Sequence, residues 1–143
     1  MNNQPKRVAM VAMLRIHPHA TPLEALTTCI DACTACAQTC SSCAELCQDE
    51  LCAPVVERCI ELALNCANIC ETTVRVLQRR DILEPALVQA MVQICASAAR
   101  QCGDECASRG DLGLVQCQVC ADSCRRCRAA CLLLHVALTE TAE

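Results

Sequence analysis

Cys29, Cys33, Cys36, Cys40, Cys43 and Cys47 follow one another at separations of 4, 3, 4, 3 and 4, and Cys117, Cys120, Cys124, Cys127 and Cys131 at 3, 4, 3 and 4. On an α-helix that spacing sets every thiol on one stripe, the seam that ordinarily carries leucine and faces a partner helix. Cys52, Cys59, Cys66 and Cys70, then Cys95, Cys102 and Cys106, continue the series more sparsely, for 18 cysteines in 143 residues. A stripe of this kind is what a helix buries, so the chain fills its own interior with sulfur. Soft thiolate ligands select soft metal ions.

Seven pairs stand at i,i+4: Cys29/Cys33, Cys36/Cys40, Cys43/Cys47, Cys66/Cys70, Cys102/Cys106, Cys120/Cys124 and Cys127/Cys131. Their Cβ atoms lie about 5–6 Å apart, so two sulfurs of one helix can converge on an ion and a facing helix can supply a third. Cysteine as a mere small hydrophobe accounts for one or two buried thiols, not for this number at this spacing. Zinc takes four tetrahedral ligands, so about four Zn(II) held by about sixteen thiolates would leave a core charge of about −8. No Lys or Arg is expected on the seam to offset it, and burying such a charge is very costly. An iron–sulfur cluster needs four cysteines at one locus, commonly from a C-x2-C-x2-C loop, whereas these run along whole helices. Cu(I) displaces one thiol proton per ion, so a loading near one metal per cysteine leaves the core neutral. Electroneutrality favours Cu(I), on the order of 18 ions.

Two other readings stay open: a zinc or cadmium buffer of metallothionein type, and a thiol–disulfide oxidoreductase using Cys33/Cys36, Cys40/Cys43, Cys117/Cys120 or Cys124/Cys127. The redox motif needs a βαβ context, and none is visible. No H-E-x-x-H, E-x-x-H, G-x-S-x-G, P-loop or G-x-G-x-x-G is present, so the chain reads as a binding protein with no catalytic residues and no turnover. His17, His19 and His135, with Met10, Met13 and Met91, are candidate accessory ligands. Asn65 and Asn68 read as polar-face residues.

The elements that must position these thiols are helices. Thr21-Pro22-Leu23-Glu24 is a capping box with proline at the first helical position, starting a helix that runs to about Asp49. Pro54 starts a second, which ends at the basic Val76–Arg80 segment. Asp81–Glu84 followed by Pro85 opens a third, and a fourth runs from about Leu114 to Leu138 after the Gly110–Gly113 turn. Period-2 alternation is missing throughout. Four helices of roughly 25 residues, each about 38 Å long, with short loops give an all-α, antiparallel up-down bundle. Residues 1–143 read as one domain, with residues 21–138 the bundle and 1–20 an N-terminal segment carrying a short extra helix over residues 4 to 15.

That topology gathers Leu23–Ala25, Val74–Leu77, Leu87–Met91 and Leu132–Leu138 at one end as an apolar plug. The other end gathers Cys47, Cys52, Cys106 and Cys117 with Asp49, Glu50, Asp104, Glu105 and Asp111. The expectation is a thiol-lined tube, sealed at one end and open at an acidic mouth.

The bulk composition agrees with a metal-ion partner. A net charge of −4 argues against nucleic acid, and no apolar stretch approaches the ~20 residues of a membrane span. After Lys6 and Arg7 the apolar run Val8–Leu14 meets Arg15, too short for a convincing secretory signal. Neighbouring thiols on one helix fit disulfide geometry poorly. The thiols are therefore expected reduced, in the cytosol. Aromatic residues are absent, leaving Leu, Val, Ile, Ala and Cys to fill the core.

With C-x3-C pairs such as Cys36-Ala-Gln-Thr-Cys40 and Cys120-Ala-Asp-Ser-Cys124 spread over four helices from Thr21 to Leu138, the chain resembles the cytosolic branch of the bacterial copper storage proteins. The resemblance implies that the inward thiols bind many Cu(I) ions and that bundles associate as a homotetramer. Release from a plugged core needs a competing ligand or a transfer partner, a copper chaperone or recipient protein. The resemblance also implies His or Met near the entrance. This chain departs there, with Arg109 and Asp111 at the third turn.

Overall fold

A computed structural model describes residues 21–49, 53–79 and 84–141. Four helices make up the described chain: α1 (Pro22–Gln48), α2 (Ala53–Leu77), α3 (Pro85–Gly110) and α4 (Val115–Thr141). No strand occurs among the described residues. The expected extra helix over residues 4 to 15, with Met10, Met13, His17 and His19, lies outside them, as do Glu50, Cys52 and Asp81.

The helix boundaries have local causes. The Thr21 hydroxyl accepts the Glu24 N–H at 3.1 Å, and the Glu24 carboxylate accepts the Thr21 N–H at 3.4 Å. Both orphan donors of the first turn are thus satisfied around Pro22. Pro54 and Pro85 sit in the first turns of α2 and α3, where a missing N–H costs nothing. Glu84 precedes α3 with extended backbone but without a side-chain capping bond. The turn between α3 and α4 needs two glycines. Gly113 has φ +95°, a left-handed conformation, and a Cβ on Gly110 would stand 2.7 Å from Gln118 Oε1 and 3.2 Å from Gln118 Cα. The third helix therefore continues through Arg109, which the sequence places in the turn.

Consecutive helices pack side by side and α4 closes against α1, the up-down arrangement expected. The core is stacked in layers that follow the seam of each helix. Next to the α3–α4 turn comes a layer of Cys43, Cys59, Cys106 and Cys117, then Cys40, Ala63, Cys102 and Cys120, then Cys36, Cys66, Ala99 and Cys124. Cys33, Cys70, Cys95 and Cys127 follow, then Cys29, Thr73, Val92 and Cys131. Leu26, Leu77, Val88 and Leu134 close the far end. Every one of these residues is buried. The sulfur contacts across α1 and α4 and across α2 and α3 set this register.

The apolar plug is real, but its membership differs from the expectation. Leu23 and Leu87 are 59% and 51% exposed, because they fall off the seam, while Leu26 fills the end instead. Burying Leu26, Leu77 and Leu134 contributes about 1.5–3 kcal/mol each, at the only described end where the core is wholly aliphatic. On the α3–α4 side, Gly103 lets the helices approach closely: an added Cβ would lie 3.1 Å from Cys124 Cβ.

Candidate metal centre

All 17 described cysteines are buried free thiols; Cys52, the remaining expected ligand, lies outside the described residues. Their burial follows from the seam: each occupies a position that the 4,3 spacing turns inward, and none carries a polar group that the bundle must satisfy. The i,i+4 expectation holds in detail. Sulfur atoms stand 3.9 Å apart in Cys29/Cys33, 3.8 Å in Cys36/Cys40 and 3.9 Å in each of Cys43/Cys47, Cys66/Cys70 and Cys102/Cys106. The other two pairs, Cys120/Cys124 and Cys127/Cys131, each fall within a four-thiol group whose sulfurs lie within 4.8 Å of one another.

Facing helices complete the groups. Cys33, Cys95, Cys127 and Cys131 form one, Cys36, Cys40, Cys66 and Cys124 another, Cys40, Cys102, Cys120 and Cys124 a third, and Cys43, Cys47, Cys59 and Cys117 a fourth. Cys36, Cys70 and Cys127 form a three-thiol group between them. Because Cys36, Cys40, Cys124 and Cys127 each belong to two groups, four of these sites merge, and Cys106, 3.1 Å from Cys59 and 3.9 Å from Cys102, joins the group of Cys43, Cys47, Cys59 and Cys117 to them in one column. A metal–thiolate bond of about 2.3 Å separates sulfurs by about 4.0 Å around a three-coordinate centre. The contacts of 3.7–3.9 Å among Cys33, Cys95 and Cys127 match that spacing. The donor set is all sulfur, with no carboxylate in any of these groups, which suits a soft ion.

The thiols hold protons unequally. Cys59 is drawn down to about 3, first by the hydrogen bond from Cys106 and then by that from Cys43. Cys95 is drawn down to about 5 by Cys127 and Cys131. Burial pushes Cys117 up, with Cys47 adding to the shift, and Cys124 is pushed up by its bonds with Cys102 and Cys120. In a dry column one thiol of each contact keeps the proton and donates it, so only its neighbour can ionise.

The expected mouth is acidic, with Asp49, Asp104 and Asp111 exposed and Glu105 half-buried. It is not open. Cys47 and Cys117 are fully buried, beneath Val56 and a Gln116 side chain whose amide donates to Cys47 Sγ at 3.8 Å. Cys117 and Cys59 nonetheless lie under a thinner shell of protein than Cys29 and Cys131. The expectation that the seam carries no cation also fails: Arg109, three residues past Cys106, holds the next seam position of α3. Its signal was the 4,3 count itself, continued one step beyond the last cysteine. Ala63 and Ala99, both fully buried, take seam positions at which a thiol is missing.

The other candidates fall elsewhere. His135 and Met91 are half-buried at the plugged side, with His135 Nε2 3.4 Å from Gln93 Nε2, and no described group of thiols includes them. Asn65 and Asn68 are exposed, as polar-face residues should be. The CxxC cysteines sit within unbroken helices. No described helix is long and apolar enough to cross a membrane.

Comparison with known proteins places this architecture. The copper storage protein family matches residues 23–136. A histidine-to-alanine variant of Streptomyces lividans Ccsp is 36% identical with a TM-score of 0.80, over 83% of this chain and 98% of that one. A cytosolic copper storage protein from Streptomyces lividans, with five coppers, is 37% identical with a TM-score of 0.77, over 80% and 95% of the two chains. The Ccsp of that organism loaded with 10 copper equivalents is 35% identical with a TM-score of 0.78, over 90% and 98%. No curated protein matches the chain. With the matched span running from the first turn of α1 deep into α4, and the relatives sharing the bundle, the chain belongs to the copper storage protein family.

Proposed function

We propose that this protein stores copper as Cu(I) in the cytosol, bound by its 17 described core thiolates and by Cys52, without catalytic turnover. The observation that carries the reading is the merging of four-thiol groups into one column with no other donor type. Deprotonating a thiol for each Cu(I) keeps that column neutral at full loading, whereas a divalent ion with four thiolates leaves buried negative charge. The family and the copper-loaded cytosolic relatives support the same cargo and compartment. Residues 1–143 act as one domain, bundles associate as a homotetramer, and a copper chaperone or recipient protein exchanges the metal.

Anaerobic titration of the reduced protein tests this. Cu(I) should saturate near one ion per cysteine and raise thermal stability, as a ligand of the folded state must. Saturation with about 4–6 Zn(II) that Cu(I) fails to displace would instead favour the zinc or cadmium buffer.

A further inference from the structure

Neutrality at full loading leaves a difficulty at the start. A lone Cu(I) needs at least two thiolates, so the first ion bound is a site of net charge −1 inside a dry core. Such a charge is tolerated where a cation compensates it. Among the described residues, Arg109 is the one arginine that is not exposed, and no lysine is present among them. It stands on the α3 seam one turn from Cys106, with their Cβ atoms about 5–6 Å apart. Cys106 in turn contacts Cys59 at 3.1 Å, and Cys59 contacts Cys117 at 3.7 Å.

Two features fit Arg109 for this role. One guanidinium nitrogen, Nη2, is 3.5 Å from Glu105 Oε2, which holds the side chain along the last turn of α3. Its Nε is buried and has no hydrogen-bond partner. A buried guanidinium N–H without an acceptor is an unmet demand, and a thiolate sulfur is an acceptor that appears only when the layer deprotonates. Of the nearby carboxylates only Glu105, 17% exposed, shares the guanidinium's charge. Asp49, Asp104 and Asp111 are exposed and screened by water, while Arg109 is only 24% exposed and acts on the buried layer through low dielectric. Glu105 takes the Nη2 end and leaves Nε–H unengaged.

Resting on the proposed storage of Cu(I), we infer that Arg109 makes the outermost thiol layer the holding site for the first copper, as a bis-thiolate whose negative charge the guanidinium offsets. The donor is an anionic complex of Cu(I) with two small-molecule thiolates. Two Cu–S bonds to the donor break and two to the layer form. Two protein thiols give their protons to the two departing thiolates. Copper stays Cu(I), and the charge of −1 passes from the incoming complex to the site. Deeper layers fill as bridging thiolates restore neutrality and no longer depend on Arg109.

The test is competition for Cu(I) against a chromophoric Cu(I) chelator under anaerobic conditions, one equivalent at a time, in the full chain and in Arg109→Gln and Arg109→Lys. Arg109→Gln should weaken the first equivalent by about tenfold, leave the final capacity unchanged, and be largely rescued by Arg109→Lys. A crystal given one equivalent of Cu(I) should show its copper-edge anomalous peak among Cys43, Cys59, Cys106 and Cys117, a readout that needs no variant. A first-equivalent affinity indifferent to Arg109→Gln, or a first peak among Cys33, Cys95 and Cys127, overturns the assignment while leaving storage intact. Failure to take up Cu(I) at any ratio overturns the storage reading itself.

Discussion

Cys59 and Cys106 bring their sulfur atoms to 3.1 Å across the α2–α3 interface, the shortest sulfur contact among the described residues. The pair sits in the outermost four-thiol layer, and Cys106 keeps the proton that Cys59 shares. If each thiolate carries one Cu(I), Cys59→Ser and Cys106→Ser each lower saturation by about one ion and the double variant by about two. The hydroxyl is a hard donor that does not replace sulfur. Anaerobic titration, with helicity monitored by circular dichroism, checks the count; an unchanged capacity in the double variant removes both residues from the ligand set.

Ala63 and Ala99 interrupt the thiol seam of α2 and α3 where α1 and α4 continue it without a break. Ala99 faces Cys66 and Cys124 in its layer, so Ala99→Cys supplies the missing sulfur. Capacity should rise by about one Cu(I). The metal-free protein should lose about 1–3 kcal/mol, because the site is fully buried and already packed. Copper addition should recover that loss. Thermal melts with and without Cu(I) give both quantities.

Leu134 is 1% exposed and, with Leu26, Leu77 and Val88, closes the far end of the column. Leu134→Ala should cost about 2–5 kcal/mol. It should also speed removal of loaded copper by a chelator, since the layer next to it holds Cys29 and Cys131, 3.7 Å apart. A variant that melts lower but releases copper at the original rate shows that copper does not leave by that end.

The metal-free bundle should lose stability at alkaline pH. Ten buried thiols are pushed up from 9.0 and six drawn down; above 9.0 the six are ionised in the folded and the unfolded chain alike, so the raised ten set the direction there. For Cys117, pushed up by burial, the stabilisation is whole below the free thiol's 9.0 and is lost as pH climbs past it, because the unfolded chain ionises first. Anaerobic denaturant curves at pH 9, 10 and 11 should show falling midpoints. In the copper-loaded protein the sensitive side is acid, where protons compete for the thiolates.

The seams of α1 and α4 were legible because a 4,3 cysteine spacing has one helical interpretation, and the Thr21 box, Pro54 and Pro85 fix where three of the helices begin. The plug was legible as a region but not residue by residue: Leu23 and Leu87 are as apolar as Leu26, and only the register between helices decides which of them turns inward. That register depends on contacts between distant segments, which spacing along one chain does not contain. Arg109 was misplaced for a local reason. Gly110 reads as a helix stop, yet here it lies in the last turn of α3, where its missing Cβ makes room for Gln118. The helix therefore carries Arg109 onto the seam and not into a loop.

The alanines at 63 and 99 have a consequence for traffic. Along α1 and α4 the sulfurs meet in three clusters, Cys43/Cys47/Cys117, Cys36/Cys40/Cys120/Cys124 and Cys29/Cys33/Cys127/Cys131. The contacts within 4.0 Å that join one cluster to the next run through the other two helices: past Ala63 by Cys59, Cys106 and Cys102, and past Ala99 by Cys66 and Cys70. An ion passed from thiol to thiol thus moves on a single track with a dead end. Each ion leaves by the crossings through which it entered, Cys102–Cys106 and Cys66–Cys70, so those two steps meter the inner store in both directions.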